Sequence, residues 1–191
     1  MIEFTVFDSK DAASAALADH IARRLESAVA KRGSASIVVS GGTSPLATYR
    51  ALRRYKLPWH KVTVLPSDER LIPPDHEDSN AGMLRREFMQ EEAATARLLS
   101  LADAAIPDDT QLAGLNTRLG RLARPLDIVL LGLGDDGHTA SLFSDSPDIG
   151  NTLNGTDFCV LQEPAHLDVA RLSLTPAILL DAREIILLFF G

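Results

Sequence analysis

Apolar residues follow two kinds of pattern along the chain: short apolar runs, and longer stretches in which apolar positions recur every three or four residues. Short runs indicate strands, and the longer spacing indicates helices. The predicted strands are residues 2–7, 35–39, 62–65, 98–101, 127–131, 158–161, 170–174 and 184–190. The predicted helices are residues 8–32, 45–55, 79–92, 108–123 and 176–182. This alternation predicts an α/β fold, with a Rossmann-like open, mainly parallel sheet and helices on both faces.

The chain shows no internal repeat, low-complexity tract or linker, so we expect one α/β domain over residues 1–191. Its last predicted strand ends in the run from Ile185 to Phe190, which is apolar enough to need cover on both faces. No helix follows this run to cover it. We therefore expect that the domain is truncated at its C-terminus or that another subunit packs there.

Charge and composition narrow the class of protein. The 19 basic and 26 acidic residues give a formal net charge of −7, whereas a general nucleic-acid binder needs a basic surface. The single cysteine, Cys159, excludes an intramolecular disulfide and a multi-cysteine zinc site. The N-terminal run lacks the basic region of a signal peptide, and no apolar run is long enough to span a bilayer. We expect a cytoplasmic protein without nucleic-acid or membrane partners, either a monomer or a weak homo-oligomer.

Three loops follow predicted strands and carry unusual residues. Ligands of open parallel sheets bind outside the carboxyl ends of the strands, so these loops are the candidate site. The first is Ser40-Gly41-Gly42-Thr43-Ser44-Pro45. Its glycines allow backbone N–H groups to surround an anion, and its hydroxyls add donors. The alternative is a tight turn in which Ser44 caps a helix with Pro45 at its first position.

The second loop, Ser67-Asp68-Glu69-Arg70, places two acids beside an arginine. In one interpretation Asp68 accepts hydrogen bonds from sugar hydroxyls or acts as an acid or base. Arg70 would then bind a phosphate or carboxylate, which its planar guanidinium suits. The alternative is a solvated corner held by surface salt bridges.

The third loop runs from Gly132 to His138 and matches the dinucleotide-binding pattern G-x-G-x-x-G. That pattern normally follows the first strand of its unit, and Asp135 and Asp136 would repel a pyrophosphate, so we set it aside. His138 follows the glycines at a predicted strand-to-helix turn, where an imidazole can face a ligand. Asp136 is placed to accept the imidazole N–H and select its tautomer. The alternative is that His138 merely caps the next helix.

Together these motifs resemble the 6-phosphogluconolactonases, within the superfamily that includes glucosamine-6-phosphate deaminase/isomerase. The matching stretches are Ser40 to Pro45, Ser67 to Arg70 with Ser79-Asn80, Leu131 to Phe143, and Arg171 to Thr175. The resemblance implies hydrolysis of 6-phospho-D-glucono-1,5-lactone without a metal or organic cofactor. It implies that His138 is the general base and Asp136 its partner acid. It implies that Gly41, Gly42, Thr43, Arg70 and Arg171 line the substrate site. The loop residues themselves add Ser44 and Asp68 to this predicted site.

Three other functions stay open alongside lactone hydrolysis: a deaminase, a sugar-phosphate sensor, and an unrelated aldose–ketose isomerase or acyl hydrolase of similar topology. The deaminase branch carries a Glu-Pro shortly after its Asp-Gly-His motif, where this chain has Leu142-Phe143-Ser144, which holds no carboxylate. A sugar-phosphate sensor without catalysis would need a DNA-binding segment that is not evident here. Ser141 follows His138 by three residues and suggests a Ser–His pair. However, the G-x-S-x-G elbow is absent, and a helical serine there is expected to pack or cap.

Overall fold

The computed structural model describes residues 2–102 and 107–190. The helices are α1 (Lys10–Arg32), α2 (Leu46–Leu52), α3 (Asn80–Glu87), α4 (Asp109–Gly120), α5 (Ile149–Asn154) and α6 (Pro176–Leu179). The strands are β1 (Ala35–Val39), β2 (Val62–Pro66), β3 (Asp68–Arg70), β4 (Arg97–Leu98), β5 (Ile128–Gly132), β6 (Cys159–Gln162), β7 (Arg171–Leu174) and β8 (Ile185–Leu188). None of the helices among these residues is both long and apolar enough to cross a bilayer.

Five strands form a parallel sheet in the order β4-β2-β1-β5-β8, which confirms the predicted α/β fold. All five residues of β1 are buried, as expected of a strand covered on both faces. Ile37 and Val39 belong to a core shared with α1, α2 and α3. Val38, on the opposite face, belongs to a second core with Leu119 of α4 and Ile178 of α6. The carboxyl ends of β1, β2 and β5 therefore meet at one edge of a rigid sheet.

Helix α1 confirms a long predicted helix and has defined ends. Ser9 caps its N-terminus by accepting a hydrogen bond from the Ala12 N–H at 3.1 Å. Gly33 ends it in a left-handed conformation with φ of 82°. The predicted helix over residues 79–92 is shorter in the structure, because α3 ends at Glu87 and a 3₁₀ turn over Glu91–Thr95 follows.

A second, antiparallel sheet with the order β3-β7-β6 was not predicted. Within the predicted loop Ser67–Arg70, residues Asp68–Arg70 form β3, which pairs Asp68 with Ser173 and Arg70 with Arg171. Its polar side chains lack the apolar alternation of a strand, and its partner lies about a hundred residues further along the chain. Ser67 connects the two sheets, because its N–H donates to Val39 O and its carbonyl accepts from Leu174 N–H.

The strand predicted at residues 2–7 is wrong. This segment forms no regular element, and Ile2, Phe4 and Val6 are each more than four-fifths exposed. An alternating pattern becomes a strand only when a neighbouring strand supplies backbone partners, and none of the described strands pairs with it.

The last strand, β8, lies at the edge of the parallel sheet. Ile186 and Leu188 pack against the core, whereas Ile185 and Leu187 on the other face are partly exposed. The expectation that this face is covered by further chain or by another subunit stays a prediction.

Candidate active site

An open cleft of about 220 Å³ lies at the carboxyl ends of β1, β2 and β5, where ligands of parallel sheets bind. The three loops singled out in the sequence and the start of β7 form its walls. The predicted site residues that line it are Gly41, Gly42, Thr43, Ser44, Asp68, Arg70, His138 and Arg171. Asp136 does not line the cleft itself, but its carboxylate is hydrogen-bonded to His138, which does.

The glycine loop turns from β1 into α2. Gly42 has φ of 81°, a conformation that glycine adopts without strain. The buried Tyr49 hydroxyl donates to the Ser40 carbonyl at 2.7 Å and fixes the first residue of the loop. Pro45 stands at the N-cap of α2 and no side chain caps the helix, so the alternative role of Ser44 as a cap is wrong.

Asn80, at the start of α3, is a residue of the cleft that the sequence did not single out for a role. Its side-chain amide donates to the Asp68 carbonyl at 2.8 Å and to Asp68 Oδ1 at 3.2 Å. It also lies directly against Gly41, since a Cβ built on Gly41 would be 2.1 Å from Asn80 Oδ1. The absence of a side chain at Gly41 therefore allows the first two loops to meet.

Gly41→Ala is expected to lower the free energy of unfolding by about 1–3 kcal/mol, the usual cost of overpacking a tight contact. Urea denaturation measures this change. Gly114→Ala is the matched control, because Gly114 lies within α4 with open space around it and alanine there is expected to stabilise the helix. In an Asn80→Ala background the Gly41→Ala cost should shrink; an unchanged cost would contradict the proposed contact.

The two acids of the second loop are buried, so the solvated-corner alternative is wrong. Asp68 is 8% and Glu69 is 2% exposed. The Asp68 carboxylate accepts hydrogen bonds from Ser141 Oγ at 2.6 Å and from Ser67 Oγ at 3.0 Å, in addition to Asn80. Three neutral donors thus hold this carboxylate in one orientation at the wall of the cleft.

Glu69 stabilises the start of α3. Its carboxylate accepts hydrogen bonds from the backbone N–H groups of Arg70, Asn80 and Ala81 at 2.6–2.9 Å. Burial raises the pKa of Glu69, and these backbone hydrogen bonds oppose the rise. Glu69 thereby holds the backbone of Arg70 and Asn80, two residues that line the cleft.

Ser141 is fully buried and lies in a turn rather than a helix, so the expectation of a helical serine is wrong. Its hydroxyl donates to Asp68, and its backbone N–H donates to Ser173 Oγ at 3.1 Å. These two bonds attach the third loop to β3 and β7. Because the Ser141 hydroxyl donates to the buried Asp68 carboxylate, its role is to hold the segment that follows His138 in place.

Two arginines form the basic wall of the cleft. Arg70 Nη1 donates to the Asp78 carbonyl at 2.6 Å. Arg171 lies opposite Arg70 in the β3–β7 pair, and its buried Nε has no hydrogen-bond partner among the described residues. Burial lowers the pKa of Arg171, and the charge of Arg70 lowers it further. Two neighbouring guanidiniums that repel each other have the donors and charge to bind an anion with several oxygens.

His138 and Asp136 form a hydrogen-bonded pair in the third loop. Asp136 Oδ1 lies 2.5 Å from His138 Nδ1 and also accepts the His138 backbone N–H at 3.2 Å. These hydrogen bonds hold the pKa of Asp136 below its usual value, so the carboxylate is ionised and favours a proton on Nδ1. The other ring nitrogen, Nε2, has no partner among the described residues and is therefore available as a base.

The backbone around His138 depends on glycine. A Cβ on Gly134 would lie 2.3 Å from the His138 ring, and Gly137 has φ of 85°. No helix begins after His138 until Ile149, so the alternative role of His138 as a helix cap is wrong. Across residues 2–102 and 107–190, no group of three or more His, Cys, Asp or Glu side chains is arranged to hold a metal ion.

Comparison with known proteins gives consistent matches. The family model described as glucosamine-6-phosphate isomerases/6-phosphogluconolactonase matches residues 8–191. A 6-phosphogluconolactonase of Pseudomonas aeruginosa is 42% identical over 179 residues, which cover 92% of this chain and 74% of that protein. One from Rhizobium meliloti is 38% identical over 184 residues, covering 95% and 79%. The crystal structure of a 6-phosphogluconolactonase from Shewanella baltica superposes with a TM-score of 0.93 at 34% identity, covering 100% of this chain and 83% of that one.

Proposed function

Because this chain belongs to the glucosamine-6-phosphate isomerase/6-phosphogluconolactonase family, we propose that it hydrolyses 6-phospho-D-glucono-1,5-lactone to 6-phosphogluconate, a step of the oxidative pentose phosphate pathway. The observation that carries the proposal is the His138–Asp136 pair beside two arginines in one cleft. A base next to an anion-binding site fits a substrate that carries both a lactone carbonyl and a phosphate group.

In the mechanism that we propose for this reaction, Arg171 and Arg70 bind the phosphate of the substrate. Asp68 accepts hydrogen bonds from the sugar hydroxyls. His138 Nε2 takes a proton from a water molecule as its oxygen attacks the lactone carbonyl. Backbone N–H groups of the glycine-rich loops stabilise the oxyanion that develops. The tetrahedral intermediate then breaks its bond to the ring oxygen, and the His138 imidazolium returns the proton to that oxygen. A lactone is an activated ester, so no covalent enzyme intermediate is required.

Features of the third loop favour the lactonase over the deaminase of the same family. A chain that resembles the deaminases is expected to have a carboxylate shortly after its Asp-Gly-His motif. At that place Phe143 is buried and its ring packs against His138 with 4.2 Å between centroids. An apolar ring cannot transfer the protons that ring opening of an amino sugar phosphate requires.

The proposal extends to the setting of the enzyme. We place it in the cytoplasm as a single sugar-phosphate-binding domain over residues 1–191, acting without a metal or organic cofactor. It would act as a monomer or weak homo-oligomer.

A coupled assay tests the proposed activity. The lactone is generated in situ, and formation of 6-phosphogluconate is followed with and without this protein. The proposal expects an acceleration proportional to protein concentration above spontaneous hydrolysis. Release of ammonia from glucosamine 6-phosphate, without acceleration of lactone hydrolysis, would overturn it in favour of the deaminase.

A further inference from the structure

Phe143 lies behind the wall of the cleft and contacts two of the side chains that line it. It is 3% exposed, and among the described residues it is not one of those that line the cleft. Its ring lies 4.2 Å from the His138 ring, centroid to centroid, and 5.5 Å from the Arg171 guanidinium carbon. The base and the anion-binding arginine proposed above thus share one buried neighbour.

The His138 imidazole needs a contact beyond its bond to Asp136. That bond fixes the position of Nδ1, but a single hydrogen bond leaves the ring free to tilt about it. The Phe143 ring lies at 35° to the imidazole, so its surface limits this tilt and sets the direction of Nε2. General-base catalysis depends on that direction, because Nε2 must meet the proton of the attacking water.

Arg171 depends on the same ring for a different reason. Its Nε is buried without a hydrogen-bond partner, and none of the salt bridges found among the described residues includes it. A long side chain without a polar partner would sample many rotamers before an anion binds. The cation–π contact with Phe143 restricts the guanidinium while its N–H groups stay available.

Phe143 is itself held from a further side. The His166 ring meets it edge-on at 5.1 Å, and Asp145 Oδ2 lies 2.6 Å from His166 Nδ1. This second histidine–aspartate pair is exposed and does not line the cleft within the described chain. Its packing gives the Phe143 ring a defined orientation, so the ring can act as a fixed surface for His138 and Arg171.

We propose that Phe143 is a positioning residue that orients the His138 imidazole and the Arg171 guanidinium together, so that turnover and phosphate recognition depend on one buried ring. The effect on turnover rests on the proposed lactonase activity. The phosphate-binding part of the inference can be measured without any reaction.

The test compares Phe143→Leu with Phe158→Leu. Phe158 is a matched control because its ring also carries a guanidinium, that of Arg124 at 4.6 Å, outside the cleft. Phe143→Leu should lower kcat and raise KM for the phosphorylated lactone, each by about 3- to 10-fold, from the usual size of aromatic and cation–π contacts. It should weaken binding of inorganic phosphate by a similar factor in calorimetry. Phe143→Tyr, which keeps the ring, should stay close to wild type in all three measurements.

A purely structural role predicts a different pattern. If Phe143→Leu matches Phe158→Leu in kcat, KM and phosphate affinity, the inference is overturned even when both variants lose thermal stability. Phe143→Met, which keeps a similar buried volume without a ring, replaces the leucine variant if that one fails to fold. If the wild type hydrolyses no lactone but binds phosphate, and Phe143→Leu weakens this binding, the lactonase proposal fails while the Arg171 part of the inference is supported.

Discussion

Replacing His138 by alanine is expected to lower kcat for 6-phospho-D-glucono-1,5-lactone by about 10²- to 10⁴-fold, the usual contribution of a positioned general base. The fold should persist, because the His138 side chain is partly exposed and belongs to neither core cluster. Arg70, Arg171 and Asp68 stay in place, so affinity for the product 6-phosphogluconate should change little. The loss of activity should therefore appear in kcat, and the cleft should still bind 6-phosphogluconate.

Steady-state kinetics above the spontaneous rate, together with product binding by calorimetry, measure both parts of this prediction. His60→Ala is the matched control, since His60 is exposed and lies outside the cleft. Full activity of His138→Ala would exclude His138 as the base. A loss of product binding equal to the loss of turnover would instead assign His138 a binding role.

Replacing Arg171 by alanine is expected to raise KM for the phosphorylated lactone by about 10- to 100-fold, which corresponds to one or two charge-assisted hydrogen bonds. The physical reason is that Arg171 has no protein acceptor for its buried Nε in the described structure, whereas a phosphate oxygen can supply one. Arg70 is already bonded to the Asp78 carbonyl and can compensate only in part.

Comparison of two substrates isolates the phosphate contribution. For glucono-lactone without a phosphate, Arg171→Ala should leave KM nearly unchanged. Arg23→Ala, which removes an exposed arginine paired with Asp19 on α1, controls for the loss of a positive charge. Equal effects of Arg171→Ala on both lactones would place the phosphate elsewhere in the cleft.

Much of the fold and the contact between His138 and Asp136 were predictable from local sequence. The runs over 35–39 and 127–131 are apolar enough to require cover on both faces, which predicts central strands of a parallel sheet. Such strands bring their carboxyl ends to one edge, so the loops after them meet there. The His138–Asp136 pair was predictable as well, because the two residues lie two positions apart among glycines.

The antiparallel sheet was not predictable in this way. Strand β3 is made of Asp68, Glu69 and Arg70, and the burial of its two acids depends on pairing with β7 and on the start of α3. Local patterns report whether a segment can bury an apolar face, but they do not report which distant backbone will satisfy its hydrogen bonds. The same limit explains residues 2–7, which have the pattern of a strand and no partner in the described structure.

The parallel core, the first and third loops and the candidate base follow from local sequence, because each depends on neighbouring residues or on a strand that is apolar throughout. The second predicted loop does not, because Asp68–Arg70 form β3 against β7. The roles of Asn80, Ser141 and Phe143 follow instead from contacts made in the folded protein. Asn80 fills the space left by Gly41, Ser141 bonds to Asp68 across 73 residues, and Phe143 packs against both His138 and Arg171. Contacts of this kind arise from packing between elements far apart in the chain, and no periodicity along the sequence records them.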